Sequence, residues 1–310
     1  MNPTPIILDV DPGHDDAVAI MLACGAPEVD LLAVTTVAGN VPLKKTTRNA
    51  LRILSLIGRP GVVPVAAGAA APLVRPLRTA EDVHGESGLE GPEIPEASFG
   101  PVERGATELI ADALRGSPEP VTLVPVGPLT NVALFLREYP ELRDRIARIS
   151  LMGGSIGLGN TTPAAEFNVY VDPEGAREVF ESGLPITMSG LDVTHGVGAG
   201  PAERERLRSL GRIGVAVAEL LEFFAATYER IYGFDAPALH DPVAVAAVLE
   251  PTLLETRPMR VDVECEGELT RGETVCDFYG VTGEPPNAEV GVELDQEGLF
   301  ELLYKSLARL

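Results

Sequence analysis

Short segments that are apolar at nearly every position alternate along this chain with segments that have helical patterns. The strand-like segments are PIILDV, LLAVTTVAGN, VTLVPVG, ARISLMGG and LPITMSG. Strands that are apolar on both faces, each followed by a helix, are typical of a parallel sheet that helices cover on both sides. The alternation therefore predicts an α/β fold built on a mostly parallel sheet.

The segments between these strands carry residues that start and stop helices. In DPEGAREVFESG, Asp172 is a good N-cap, Pro173 suits the first helical position and Gly183 suits the end. The late segments MRVDVECEG and NAEVGVEL alternate more clearly, which predicts an edge strand or an antiparallel addition. No internal repeat or linker divides the chain, so residues 1–310 are expected to form a single domain.

One long segment breaks the alternation. Residues 66–104 are rich in proline, glycine and alanine and have no convincing period. A loop of this length in a compact domain is usually a lid, a binding loop or a disordered segment. His84, in the stretch HGESGLEG, gives this segment a residue capable of chemistry.

The composition argues against several classes of partner. A formal charge of −22 at pH 7 disfavours nucleic acid and anionic membranes, since both need a basic surface. The chain has no apolar run long enough to span a membrane, and its N-terminus lacks the pattern of a secretory signal. Three cysteines without metal-type spacing fit a reducing compartment, so we expect a cytoplasmic protein.

Aspartates crowd the end of the first predicted strand. The stretch IILDVDPGHDDA contains Asp9, Asp11, Asp15 and Asp16. Carboxylates this close together repel one another or raise each other's pKa, unless a cation lies among them. Acidic residues also favour helix N-termini, so stabilisation of a first helical turn is an alternative role for Asp15 and Asp16.

Polar residues recur where the other predicted strands end. In an open parallel sheet, ligands bind beyond these carboxyl ends. Capping by Asp241, turn formation by Asn40 and a solvated position for Glu166 are alternative explanations of single residues. The polar positions are Asn40 in AGN, the VGPLTN segment, Asn160 and AAEFN after MGG, and His240 and Asp241 in ALHDP. Because they gather at one edge, the sequence predicts a binding site there.

The residue types at this edge indicate a hard cation. Carboxylates without partner cysteines or clustered histidines favour Ca²⁺ or Mg²⁺ over zinc. DVDPGHDD begins like an EF-hand loop, but Gly13 occupies the fifth position and Ile20 the twelfth, so the EF-hand interpretation fails. The ligands must instead converge from distant parts of the chain, as in an enzyme site.

This ordered set of motifs resembles the inosine–uridine-preferring nucleoside hydrolase family over essentially the full chain. DVDPGHDDAVAI is similar to the N-terminal signature of that family, and VAGN, GPLTN, MGG, GN followed by AEFN, and HDP recur in its order. The resemblance implies an open Rossmann-like α/β sheet, a tightly held Ca²⁺ and hydrolysis of the N-glycosidic bond of ribonucleosides. It also implies a homodimer or homotetramer, and it makes residues 66–104 an expected active-site loop.

The resemblance implies roles for individual residues. Asp11 would take a proton from a Ca²⁺-bound water, and His240 would protonate the departing base. The implied Ca²⁺ ligands are Asp11, Asp16, the backbone carbonyl of Val126, and Asp241. The residues implied to hold or line the ribose are Asp15, Asn40, Met152, Asn160, Glu166, Asn168 and Asp241.

The chemistry of N-glycosidic hydrolysis is consistent with an acidic rim. Positive charge grows on the ribose ring in the transition state, and carboxylates and amide oxygens stabilise it. Acidic neighbours are expected to raise the pKa of His240 above its ordinary value near 6.5, which would favour the protonated acid. A structural histidine beside a helix cap is the alternative for His240.

Base preference is less readable from the sequence. The base pocket is expected to draw on His84, Phe167, Tyr228 and Tyr232, although helical spacing also suits core packing for the two tyrosines. The chain has no tryptophan, which disfavours the purine-specific subgroup and favours a broad or pyrimidine-leaning preference. Two other functions remain open. One is a haloacid-dehalogenase-type phosphohydrolase, a class that this chain resembles only in the tripeptide DVD. The other is a non-catalytic nucleoside or sugar sensor.

Overall fold

The computed structural model describes residues 3–310, apart from the side chain of Tyr232. The ten described strands are β1 (Thr4–Val10), β2 (Val29–Thr36), β3 (Val65–Ala67), β4 (Val121–Pro125), β5 (Ile146–Met152), β6 (Ile186–Ser189), β7 (Leu254–Met259), β8 (Val261–Val263), β9 (Thr274–Cys276) and β10 (Ala288–Leu294). Eight of them form one sheet in the order β3-β2-β1-β4-β5-β6-β10-β7, and β8 pairs with β9 alone. The predicted α/β fold is therefore confirmed.

The strands pair in parallel throughout this sheet except at one edge, where β7 runs antiparallel to β10. The sequence predicted an antiparallel or edge addition from two late segments. NAEVGVEL supplies β10, which lies inside the sheet because it also pairs in parallel with β6. Thus β7, which ends at Met259, is the antiparallel edge strand, and only Val261–Val263 of MRVDVECEG form β8, in the separate ladder with β9.

The helices mostly follow the predicted pattern. They are α1 (His14–Gly25), α2 (Leu43–Leu56), α3 (Glu81–His84), α4 (Ala106–Gly116), α5 (Thr130–Glu138), α6 (Phe167–Val171), α7 (Pro173–Phe180), α8 (Leu191–Thr194), α9 (Pro201–Arg208), α10 (Arg212–Tyr232), α11 (Asp241–Leu249) and α12 (Gln296–Leu307). Asp172 caps α7 as predicted, since its carboxylate accepts a hydrogen bond from the backbone N–H of Gly175 at 2.9 Å. The helix ends at Phe180, three residues before the predicted stop at Gly183.

Two apolar cores lie on opposite faces of the sheet. Alternate residues of β1 divide between them, with Ile6 and Leu8 in one core and Ile7 in the other. Helices α1, α2, α10, α11 and α12 contribute to the first core, and α4, α5 and α7 to the second. Helix α1 is buried on nearly every side, which holds its N-terminal turn firmly against the sheet edge.

The long segment 66–104 contains only the end of β3 and the single turn of α3 as regular structure. This agrees with the absence of a sequence period. His84 ends α3 and is buried, so the segment folds back onto the body of the protein there. Within the described residues, no helix has the length and apolar character needed to cross a membrane.

Candidate active site

The sheet reverses its winding direction between β1 and β4. The chain leaves β1 in one direction for β2 and β3, and it returns to the other side of β1 for β4. A crevice opens at such a switch point, beyond the carboxyl ends of the two strands. Asp11 follows β1 and Val126 follows β4, so both stand at this crevice.

Asp11 is fully buried at the bottom of the crevice. Its Oδ2 accepts a hydrogen bond from the backbone N–H of Asn40 at 2.7 Å. Its Oδ1 is buried without a hydrogen-bond donor among the described residues. Gly39 and Gly127 allow the backbone to approach this carboxylate, because a Cβ at either position would overlap it. The carboxylate therefore keeps one oxygen available for a ligand.

Asp16 has a structural role at the start of α1. Its Oδ2 accepts from the backbone N–H of Gly13 at 2.9 Å, and its Oδ1 accepts from that of Asp11 at 3.0 Å. The side-chain amide of Asn40 donates to Asp16 Oδ2 at 3.2 Å and to the carbonyl of Asp11 at 3.2 Å. The helix-start explanation is therefore correct for Asp16, but it leaves the neighbouring acids unexplained.

Asp15, Asp16 and Asp241 form a buried acidic cluster. One carboxylate oxygen from each lies within 4.8 Å of the others. Burial, and then the charge of Asp16, raise the pKa of Asp15 to about 8. Burial and the surrounding aspartates likewise raise the pKa of Asp241 and Asp11 well above the usual range for aspartate. Asp11 adjoins this cluster and is not one of its three members.

A second group of polar residues, Glu166 and Asn168, forms the wall of the crevice opposite the aspartates. Glu166 accepts hydrogen bonds from the backbone N–H groups of Gly154 and Asn168, both at 2.9 Å. The Asn168 amide in turn donates to the carbonyl of Val126 at 2.8 Å and to that of Met152 at 3.2 Å. Glu166 is therefore a buried N-cap of α6, and its alternative as a solvated surface charge is wrong.

A cavity of about 260 Å³ lies between these two walls. Most of the residues predicted for the site line it: Asp15, Asn40, His84, Val126, Met152, Asn160, Glu166, Phe167, Asn168, Tyr228, His240 and Asp241. Asp11 and Asp16 are buried directly beneath it, through their contacts with Asn40. The side chain of Tyr232 lies outside the described part of the chain.

His240 is held by two hydroxyl groups. Its Nδ1 lies 2.7 Å from Thr194 Oγ1, and its Nε2 lies 2.6 Å from the hydroxyl of Tyr228. Burial, with a smaller contribution from His195, lowers the pKa of His240 to about 3. The expectation of a raised pKa was therefore wrong, because the buried ring has hydroxyls and another histidine as neighbours and no carboxylate of the described residues bonds to it.

A profile of the "Inosine-uridine preferring nucleoside hydrolase" family matches residues 6–301. The chain belongs to this family. The match spans nearly the whole chain, so it replaces the phosphohydrolase alternative, which depended on the DVD tripeptide alone. It also favours an enzyme over a non-catalytic sensor.

Individual relatives of this nucleoside hydrolase agree with the assignment. The pyrimidine-specific ribonucleoside hydrolase RihA of Citrobacter koseri is 52% identical over 98% of both chains. The protein of the same name from Salmonella arizonae is 53% identical over 98% of both chains. A solved purine-preferring ribonucleoside hydrolase from Gardnerella vaginalis is 33% identical, with a TM-score of 0.92 over 98% of both chains. This protein is therefore a ribonucleoside hydrolase on a shared α/β fold.

Several residues lie at the site of this nucleoside hydrolase although no predicted role was given to them from the sequence. Thr194 bonds the ring of His240, Phe224 and Arg78 line the cavity, and His14 lies against His84. Phe224 precedes Tyr228 by one helical turn, so the helical period offered a means of finding it. His14 lies inside the DPGHDD motif. Thr194 had no comparable indication, because its contact joins distant parts of the chain.

We expect Gly39→Ala to lower kcat/KM by about 10²-fold, since small displacements of reacting groups are costly. The added methyl would overlap Asp11 Oδ2 and lie 2.8 Å from Cδ of Pro128. Gly100→Ala is the matched control, because a Cβ there meets nothing within 4 Å. Steady-state kinetics on uridine compare the two variants. Equal activities would show that the close approach to Asp11 is unimportant.

Proposed function

We propose that this nucleoside hydrolase cleaves the N-glycosidic bond of pyrimidine ribonucleosides with the help of Ca²⁺, releasing ribose and the free base. The observation that carries the proposal is the buried cluster of Asp15, Asp16 and Asp241 beneath a cavity lined by amides and carboxylates. The pyrimidine preference is supported by relatives named as pyrimidine-specific, at 52% and 53% identity.

The donor set fits a calcium ion. Buried carboxylates without a cationic partner are costly, and no ion pair of the described residues includes these aspartates. Oxygen atoms of this kind are the ligands that Ca²⁺ prefers. The residues that would hold it are Asp11, Asp16, Asp241 and the carbonyl of Val126. When bound, the ion would orient the ribose diol and make a nearby water more acidic.

The walls of the cavity are suited to a ribose. We assign the ribose hydroxyls to Asp15, Asn40, Asn160, Glu166, Asn168 and Asp241, with Met152 against the sugar ring. Glu166 and Asn168 are held by backbone hydrogen bonds, so they are oriented before the substrate arrives. Fixed oxygen atoms of this kind stabilise the positive charge that develops on the ribose in the transition state.

Asp11 is the proposed base. Its Oδ1 has no donor among the described residues, whereas Oδ2 is held by Asn40. The carboxylate is thereby oriented with one oxygen available to accept a proton from water as the water attacks the anomeric carbon. Because the proton acceptor is fixed in place, the attack does not require reorganisation of the site.

Departure of the base is assigned to His240 together with Tyr228. The ring of His240 is neutral at neutral pH, because burial lowers its pKa to about 3. The hydroxyl of Tyr228 lies 2.6 Å from Nε2, so a proton can pass between these two groups. This replaces the simpler expectation that a raised pKa would favour the protonated form of His240. Tyr228 is also buried against Phe224, so it serves both the core and the site.

We expect His240→Ala to lower kcat/KM for uridine by about 10²-fold, which is typical of a lost proton donor. An activated aryl riboside, whose leaving group needs no proton, should lose much less. Tyr228→Phe is the companion variant, because it removes only the hydroxyl bonded to Nε2. Equal losses on the two substrates would contradict a role in leaving-group protonation.

The base pocket is proposed to combine the long loop with α10. His84 from residues 66–104, Phe167 from α6 and Tyr228 from α10 line one end of the cavity together with Phe224. A role for Tyr232 stays a prediction, and so do the dimeric or tetrameric state and the cytoplasmic location.

A substrate panel tests the proposed function directly. The full-length protein is incubated with uridine, cytidine, inosine and adenosine, with Ca²⁺ or with a chelator, and free base is measured. We expect uridine and cytidine to be cleaved with kcat/KM at least about tenfold above the purine nucleosides, and only with Ca²⁺. Preferred cleavage of inosine would overturn the pyrimidine assignment, and full activity in chelator would overturn the metal assignment.

A further inference from the structure

His14, the histidine within DPGHDD, is fully buried and has no part in the mechanism proposed above. It begins α1, and its ring stacks on Phe223 at 5.3 Å and on Phe224 at 5.0 Å between ring centroids. Its ring also stacks on that of His84, whose centroid is 5.3 Å away. His14 thus lies between the carboxyl end of β1, helix α10 and the long segment 66–104.

The polar atoms of His14 have two defined partners. Its Nε2 lies 2.8 Å from the backbone carbonyl of Glu90. Its Nδ1 lies 3.1 Å from Nδ1 of His84. Gly13 makes the second contact possible, because a Cβ at that position would lie 2.5 Å from His84 Nδ1.

These contacts fix the positions of the protons. A carbonyl oxygen only accepts, so His14 Nε2 must carry a hydrogen to bond Glu90. The ring is buried among phenylalanines and no carboxylate in the described part of the chain bonds to it, which favours its neutral form. A neutral ring protonated at Nε2 has a lone pair at Nδ1. His84 Nδ1 must then carry the hydrogen that joins the two rings.

His84 Nδ1 also has a second contact, which competes with the bond between the two rings. The backbone N–H of His14 lies 3.3 Å from His84 Nδ1 and would need a lone pair there. If that lone pair were present, the two facing Nδ1 atoms could bond only when His14 carried a second proton and therefore a buried charge. The 3.3 Å contact is the longer of the two, and two facing Nδ1 lone pairs only 3.1 Å apart would repel each other. The ring-to-ring bond is thus favoured.

We propose that His14 is a positioning residue that holds His84 in the Nδ1–H tautomer, so that His84 Nε2 presents a lone pair to the nucleoside cavity. His84 lines that cavity, and none of the described residues forms a hydrogen bond with its Nε2. The assigned tautomer makes His84 an acceptor for a substrate N–H or O–H group. It does not act as a proton donor to the leaving base.

The consequence for substrate recognition rests on the proposed function. Uracil offers its ring N3–H group, and cytosine offers its exocyclic amino group. A fixed acceptor selects for such donors, because a substrate without one leaves a polar atom unpaired. The tautomer of His84 itself does not depend on which nucleoside is cleaved, so the two proposals can fail separately.

The experiment uses ¹⁵N-histidine labelling of the full-length, Ca²⁺-loaded protein at pH 8. The chain has only four histidines, so each ring can be assigned, with His84→Gln identifying the His84 signals. Nitrogen chemical shifts separate protonated from unprotonated ring nitrogens. We expect a protonated Nδ1 and an unprotonated Nε2 for His84. A protonated Nε2 in the wild-type protein would overturn the proposal.

Two variants at residue 14 form a matched pair. His14→Gln keeps a donor near the Nε2 position for Glu90 and removes the acceptor facing His84. His14→Asn keeps an oxygen near the Nδ1 position and gives up the contact with Glu90. We expect His14→Gln to shift His84 towards Nε2–H and to raise KM for uridine about tenfold, with kcat changed less.

His14→Asn should retain the wild-type tautomer and a KM close to that of the wild type. An unchanged tautomer in His14→Gln, or the same rise in KM in both variants, would show that His14 only fills space. If either variant fails to fold, the wild-type spectrum alone still decides the tautomer.

Discussion

Replacing Asp11 with asparagine is expected to lower kcat/KM for uridine by about 10⁴-fold while the protein stays folded. The variant keeps the size of the side chain and an oxygen for the backbone N–H of Asn40. It removes the charge and the proton-accepting capacity of Oδ1, the atom that has no donor among the described residues. The loss should fall mainly on kcat, since the groups proposed to bind the ribose remain in place.

Asp30→Asn is the control for removal of one negative charge. Asp30 is exposed, and it lies near the start of β2, far from the strand ends that border the cavity. Kinetics of both variants at saturating Ca²⁺, with circular dichroism to verify folding, make the comparison. An Asp11→Asn enzyme within about tenfold of the wild type would remove Asp11 from the role of base.

Removal of Ca²⁺ is expected to abolish activity and to make stability strongly dependent on pH. Burial and neighbouring charge raise the pKa of Asp15 to about 8 in the metal-free fold, from an ordinary value of 3.8. A raised pKa means that the folded protein binds the proton more tightly than the unfolded chain does. The stabilisation is fully present below pH 3.8 and is lost as the pH rises towards 8.

Thermal melting in chelator should therefore show Tm falling by about 5 °C or more between pH 5 and pH 8. Added Ca²⁺ should raise Tm and flatten this dependence, because the ion favours the ionised carboxylates. Asp241→Asn removes one member of the cluster and should weaken the dependence in chelator, whereas Asp30→Asn should not. A metal-free Tm that is constant or rises over this range would contradict a repulsive acidic cluster.

Much of the framework could be predicted from the sequence because it depends on local patterns. Apolar segments such as VTLVPV can only be buried strands when turns and helices bound them, and the polar residues after them must then share one edge. Asn40, Glu166 and Asp241 do line one cavity, as expected for polar residues that share an edge of the sheet. The position of β10 inside the sheet could not be predicted, because its alternating pattern is also that of an edge strand.

The electrostatic character of His240 was the largest failure of the sequence analysis. Its nearest neighbours in sequence include Asp241, which suggested a raised pKa. The ring instead points to Thr194 and Tyr228, so burial dominates and lowers the pKa. Distances along the chain do not reveal which side of a residue its ring occupies, and that orientation determines the sign of the shift.

The acidic cluster and the loop residue His84 are carried by different parts of the architecture. Asp16 closes the first turn of α1 while it supports the acidic cluster, so exchanging it would damage folding and catalysis together. His84 belongs to the long segment 66–104, whereas Tyr228 on α10 is bonded to His240 and packs in the core. Engineering a new nucleobase preference should therefore begin with the segment around His84, because changes there leave the acidic cluster and the His240–Tyr228 pair unchanged.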